Sequence, residues 1–182
     1  MPDHTEVIAQ TKKWITDVVV GCNFCPFAAR EVKRGSIHYV VLEDANTDTC
    51  MEASLAVMKL MDEEKEVETA LIILPGGHEN FEQYLDLVET TEVLLEENDY
   101  EGIYQVASFH PQYLFGGATP DDPANYTNRS PYPMLHFLRE ESVSRAVDGH
   151  PDIEGVPYTN IQFAKEKGLR YMQELLASCM KA

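Results

Sequence analysis

The regular alternation of strand-like and helix-like segments in the middle of the chain limits its fold more than any other feature. Ser36 to Leu42 (SIHYVVL) is rich in β-branched and aromatic residues and reads as a strand. Ala70 to Leu74 (ALIIL) is a short apolar run stopped by Pro75-Gly76-Gly77, the pattern of a strand buried on both faces. Ile103 to Phe109 reads as a third strand. Between them, Met51, Leu55, Met58, Leu60 and Met61 mark a helix over 47–64. Phe81, Tyr84, Leu85, Val88, Leu94 and Leu95 mark another over 80–96. Strands alternating with helices specify an α/β fold. The expected core is a small three- or four-stranded parallel or mixed sheet with helical crossovers.

Helices flank this unit on both sides. Val7, Ile8, Thr11, Trp14, Ile15, Val18 and Val19 recur at three- and four-residue steps, and Gly21 is the expected C-cap glycine. A short helix is predicted from Pro26 to Lys33, with Cys25 as N-cap and Pro26 at its first position. After the third strand, His110 to Ser130 shows neither helical nor strand periodicity. Tyr113, Leu114, Phe115, Tyr126 and Tyr132 are anchors for an ordered loop rather than a disordered one. A helix is predicted over 131–146. A last one carries Ile161, Ala164, Leu169, Met172, Leu175, Leu176 and Cys179 on one stripe. Residues 1–182 read as a single domain.

The formal net charge is -17. Such a charge repels phosphate backbones and anionic lipid headgroups, so neither nucleic acid nor a membrane surface is an expected partner. Much of the acid lies in 63–68 and 89–101, where it reads as solvated helix faces. No apolar run approaches the about 20 residues needed to span a bilayer, and the N-terminal stretch lacks the order of a secretory signal. The expectation is a cytoplasmic protein with reduced thiols.

If the three strands are parallel, their C-terminal ends share one edge. That edge carries Glu43-Asp44, Pro75-Gly76-Gly77-His78 and His110-Pro111 with the long loop. Open α/β sheets bind ligands outside the carboxyl ends of their strands. Gly76-Gly77 lacks the spacing of a phosphate loop or a dinucleotide fingerprint, and the sequence names no cofactor. His78 reads as a solvent-exposed turn residue.

Cys22 and Cys25 form a C-x-x-C. Cys22 continues the apolar stripe of the first helix, which favours a core thiol. Cys25 at a helix N-terminus, one turn from Arg30, sits where thiolate is favoured. The competing reading is a tight turn closed by a small residue. Cys50 and Cys179 lie on helical stripes. A zinc site with Cys25 would need further ligands from His38, His78, His110 or His136.

His110 ends a strand and precedes Pro111, a placement that suits a general base or a ligand. It equally suits a histidine bonded to the loop backbone. Asp122 precedes Pro123, so it is either an acid or a turn initiator. Asn125, Asn128, Arg129 and Ser130 offer amide, guanidinium and hydroxyl groups together, an arrangement fit for carboxylate or phosphate. The alternative is that they only tie the loop to itself. His136, Arg139 and Glu140 share one face of the predicted 131–146 helix. Arg139 and Glu140 read there as forming surface or loop-anchoring pairs.

Cys25-Pro26-Phe27-Ala28, Ala107-Ser108-Phe109-His110-Pro111 and Asn125 through His136 (NYTNRSPYPMLH) resemble a bacterial family of unknown function, domain of unknown function 1415. The resemblance runs over nearly the whole chain. It implies a small bacterial cytosolic protein and carries no established activity. The family's first segment is similar to Gly-Leu-Asn-Leu-Cys-Pro-Phe-Ala, so Cys25 matches and Cys22 departs.

The leading expectation is an enzyme on a small anionic metabolite. Cys25 would be nucleophile or ligand, His110 the general base and Asp122 its orienting carboxylate. Arg129 with Arg30 would clamp the anion, helped by Asn125, Asn128, Ser130 and His136. The alternatives are a metal-binding protein using Cys25, His110 and His136, and a non-catalytic ligand-binding or interaction module that uses the aromatic loop.

Overall fold

The computed structural model describes residues 3–181. Four strands form one mixed sheet in the order β1-β2-β4-β3. They are β1 (Ile37–Val41), β2 (Thr69–Ile73), β3 (Tyr104–Phe109) and β4 (Met134–Arg139). β1 and β2 are parallel, and β4 runs antiparallel to both β2 and β3. Strands β1, β2 and β3 therefore all point the same way, which meets the condition under which their C-terminal ends share one edge.

The helices before the sheet are α1 (His4–Trp14) and α2 (Ala28–Arg34). The crossover helices are α3 (Thr47–Glu63) and α4 (Phe81–Glu97). Asn46 and Asn80 cap the crossovers, their side chains accepting the N–H groups of Thr49 and Gln83. After β4 come α5 (Glu140–Gly149), α6 (Val156–Lys167) and α7 (Leu169–Cys179). No helix of the described residues is long and apolar enough to cross a membrane.

The sheet separates two cores, as the period-2 alternation of its strands dictates. Leu71, Ile73 and Met134 face Val7, Trp14, Val18, Ala164 and Met172 of the terminal helices. Ala70, Ile72, Leu135 and Phe137 face Met58, Met61, Tyr84 and Leu87 of α3 and α4. Every residue of β2 is buried. At about 1.5–3 kcal/mol for each large aliphatic or aromatic side chain withdrawn from water, these two faces dominate the stability.

Three predicted elements need correction. The helix expected over 131–146 does not form: Met134–Arg139 is the central strand β4, and helix begins only at Glu140. A short apolar run buried on both faces has no period that separates strand from helix. The stripe ending at Cys179 is two helices, broken at Gly168, whose φ of 82° is left-handed. Gly21 stands at the C-cap position as expected, but its φ of -62° is not left-handed. After Trp14 the helix widens into a π-helical stretch, Ile15–Val20. Termination falls two residues past Gly21: Asn23 takes φ 56°, and the Phe24 N–H reaches back to the Val19 carbonyl at 2.9 Å. Glycine is needed at 21 for another reason, because a methyl group there would overlap the Asp17 carbonyl oxygen.

Candidate functional site

Three segments converge on the C-terminal edge of the sheet: 42–46, 74–80 and 110–133. The first two touch closely. A Cβ on Gly77 would lie 2.6 Å from the Ala45 carbonyl oxygen, so only glycine lets the loops meet. The third leaves from β3 and returns into β4 at the same edge. Its 123–127 portion is a 3-10 turn that packs on α6 and α7.

His110 is fully buried at the start of this loop. Its Nδ1 accepts the Gln112 N–H at 2.9 Å, so the proton resides on Nε2, which donates to the His78 carbonyl at 2.9 Å. The ring lies between Phe81 and Tyr84, with centroids 5.2 and 4.9 Å away. Burial holds its pKa below the ordinary histidine value. His110 is thus a neutral imidazole joining two loops, with both nitrogens engaged. His78 is not the exposed turn residue expected. It is half-buried with φ 55°, and its Nε2 is shielded, with no hydrogen-bond partner among the described residues.

The polar residues between 122 and 130 hold the loop's own backbone. Asn125 is fully buried; its Oδ1 accepts the Phe115 N–H at 3.0 Å and its Nδ2 donates to the Thr119 carbonyl at 2.9 Å. Arg129 donates from Nε to the Tyr113 carbonyl and from Nη2 to the Pro120 carbonyl, at 3.1 and 2.9 Å. Its guanidinium also stacks 4.6 Å from the centre of the Tyr126 ring. Ser130 is fully buried and donates to the Tyr132 carbonyl at 2.6 Å. Asn128 accepts from the Thr127 hydroxyl, and its carbonyl takes the His110 N–H at 3.3 Å. Asp122 accepts the Ala124 N–H at 2.9 Å, the turn-initiating role; its other oxygen lies 3.7 Å from Lys165 Nζ.

The NYTNRSPYP part of the phrase is therefore the internal frame of a long ordered loop, and its last three residues, Met134 to His136, open β4. The family model described as a protein of unknown function, DUF1415, matches residues 6–174. The chain belongs to the DUF1415 family. No curated protein and no solved structure matches it.

In this DUF1415 protein the expected Cys25-His110-Asp122 set is not joined by hydrogen bonds. The His110 ring packs against α4, Asp122 faces α6, and Cys25 lies between the π-helical stretch and α2. Phe24, beside Cys25, packs on Phe163 of α6, and its carbonyl takes the Asn160 amide at 2.7 Å. Cys25 is not an N-cap, because α2 begins at Ala28 with Phe27 in the capping position. Pro26 and a turn bond delay the helix: Ala28 N–H first closes on the Cys25 carbonyl. Arg30 is largely exposed and pairs with Glu31 at 3.4 Å. Of the four cysteines, all free, Cys22, Cys50 and Cys179 are buried and Cys25 is half-buried. Burial pushes the thiol pKa of Cys22, Cys50 and Cys179 up.

His136 lies on β4, not on a helix. Its Nε2 is 2.6 Å from the Thr69 hydroxyl and its ring is 5.8 Å from that of Phe109. Burial lowers its pKa to about 4. Arg139 reaches the carbonyls of Met61 and Val67 at 2.5 and 2.9 Å, tying the end of α3 to β4. Its partners are backbone carbonyls reached from a strand, not the Arg139–Glu140 pairing expected on a helix. Among the described residues, no group of three or more His, Cys, Asp or Glu is placed to hold a metal ion.

The aromatic partners at this edge were not legible as site residues. Phe81 and Tyr84 read only as a helical stripe, and Trp14 only as core. In the fold, Trp14 Nε1 donates to the Arg129 carbonyl at 3.0 Å. Phe81 and Phe115 both contact Tyr113, with centroids 5.3 and 5.1 Å away. At the tip, Leu114 is 38 % exposed and Tyr113 and Phe115 are half-buried.

Proposed function

We propose that this chain is a non-catalytic binding module, with the 110–133 loop as the element that meets its ligand. One observation carries the reading. The side chains of Asn125, Arg129 and Ser130 spend their hydrogen bonds on the loop's own backbone. What the loop then offers to solvent, besides polar and glycine positions, is exposed Leu114 between half-buried Tyr113 and Phe115, on a fixed frame. A preorganised loop loses little entropy when it binds, which is the physical reason to build one. Polar groups already paired gain less from an anion than free ones would.

The test is a fragment titration followed by NMR on labelled protein. Amphipathic and aromatic fragments are expected to shift signals of Tyr113, Leu114 and Phe115. The Leu114→Glu variant loses those hits, and Cys25→Ser keeps them. Hits that gather around Cys25 and vanish in Cys25→Ser would discard the reading.

The half-buried thiol of Cys25 favours a second reading, an enzyme on a small anionic metabolite with Cys25 as nucleophile. In that case His110 would have to release the Gln112 N–H or the His78 carbonyl before acting as a base. Alkylation rates of Cys25 against pH test it. A reactive thiol titrates well below the ordinary value of about 8.5.

A further inference from the structure

Strand β3 is an edge of the sheet, with no strand pairing on its outer side among the described residues. The Glu140 N–H donates to the Ile103 carbonyl at 3.0 Å, which sets the phase of the β3–β4 ladder. In an antiparallel pair alternate residues turn their backbone groups to the partner. Ile103, Gln105 and Ala107 turn theirs to β4. Tyr104, Val106 and Ser108 turn theirs outward. The Tyr104 N–H is taken by the Tyr100 carbonyl at 3.1 Å. Among the described residues, the N–H groups of Val106 and Ser108, with the carbonyls of Tyr104, Val106 and Ser108, form a row with no backbone partner.

Exposed edges are normally blunted by lysine, proline or a bulge within the strand. The six residues of β3, YQVASF, contain neither lysine nor proline nor any charge. A groove of about 410 Å³ runs beside the strand, between it and α4. Buried Leu95 and half-buried Val106 line its apolar part. Around them stand Glu92, Glu96, Glu101 and Glu140. None of the four carboxylates takes part in a salt bridge among the described residues.

We infer that this edge docks an extended basic segment of a partner protein by strand addition. The segment's backbone completes the row on Val106 and Ser108, alternate apolar side chains enter the groove, and Lys or Arg side chains meet the four carboxylates. Charge selects this occupant over the others. A second copy of the chain would bring the same four carboxylates against themselves. A metal ion would need ligands converging on a point, and no such group is present among the described residues. Nucleic acid is repelled by the same carboxylates. The row meets the 110–133 loop at Ser108, whose side chain bonds to Tyr113, but the groove and its four carboxylates lie outside that loop, so the inference does not rest on the loop binding a ligand.

The experiment uses the full chain, nitrogen-15 labelled, and a capped hexapeptide of alternating Lys and Val. Saturable binding is expected, with the amides of Val106 and Ser108 shifting and gaining protection from exchange. A Glu-Val hexapeptide does not bind. A Lys-Val peptide N-methylated on its pairing residues binds about tenfold more weakly or worse, because it cannot complete the ladder. The triple variant Glu92→Gln, Glu96→Gln, Glu101→Gln weakens binding by about tenfold, while Glu63→Gln with Glu66→Gln leaves it unchanged. Equal binding of the N-methylated peptide, or equal loss in both sets of Gln variants, reduces the effect to diffuse attraction and overturns the inference. So does a complete lack of saturable binding.

Discussion

The Tyr84 hydroxyl donates to the Met134 carbonyl at 2.6 Å and so stands inside the β3–β4 ladder. It accepts the Phe109 N–H at 3.0 Å, bridging backbone groups of two residues that are register partners and are held apart by the hydroxyl. The ladder opens by one hydroxyl where β3 ends and the long loop begins. Burial raises the Tyr84 pKa, so the phenol stays protonated and able to donate. Tyr84→Phe leaves both backbone groups without a partner, at a cost of about 1–3 kcal/mol. Urea unfolding of the variant against wild type measures it. A change under a few tenths of a kcal/mol would show that water replaces the hydroxyl freely.

His136 makes stability depend on acid. Its folded pKa is lowered to about 4, against an ordinary value of 6.5. The unfolded chain therefore binds more protons between these values, and stability falls as pH drops from about 6.5 towards 4. The linkage is worth on the order of 3 kcal/mol over that window. His110 and His78 are shifted in the same direction, also by burial. Unfolding free energies at pH 7 and pH 5 are expected to differ for wild type, and to differ less in His136→Gln. Equal slopes in the two proteins would assign the acid sensitivity elsewhere.

Arg129 is a strut across the loop. Lysine in its place keeps the charge but cannot fork between the Tyr113 and Pro120 carbonyls. Arg129→Lys is expected to lose about 1–2 kcal/mol of stability. Hydrogen exchange of amides in 113–122 is expected to speed up more than exchange in the sheet. Unchanged loop exchange would mean that the guanidinium is free for a ligand rather than committed to the frame.

Thiol accessibility separates Cys25 from the other three cysteines. A small disulfide reagent is expected to titrate one thiol per native chain quickly, and Cys25→Ser abolishes that phase. Cys22, Cys50 and Cys179 are buried and react only as the chain opens. Rapid reaction of two thiols in the native state would place Cys22 nearer the surface than its packing indicates.

The elements with clear periods could be read in advance. The helices over 47–64 and 80–96 and strands β1, β2 and β3 lie within a few residues of where their apolar spacing puts them. The loop's order followed from its aromatic anchors. β4 escaped because MLHFL is apolar on both faces, and such a run fits either a buried helix or a central strand. Its true neighbours, β2 and β3, are far away in sequence.

By itself, the chain's local pattern determined an α/β fold and which loops would gather if its three strands ran the same way; their common direction came from the tertiary pairing. Periodicity and turn chemistry act over a few residues, so they are written into adjacent positions. Only the tertiary structure decided what the polar side chains at that edge do. Whether Arg129 meets an anion or two carbonyls, and whether His110 is a free base or a doubly bonded link, depends on backbone groups brought from elsewhere in the chain. A buried polar atom takes the nearest partner that satisfies it, and sequence order does not name that partner.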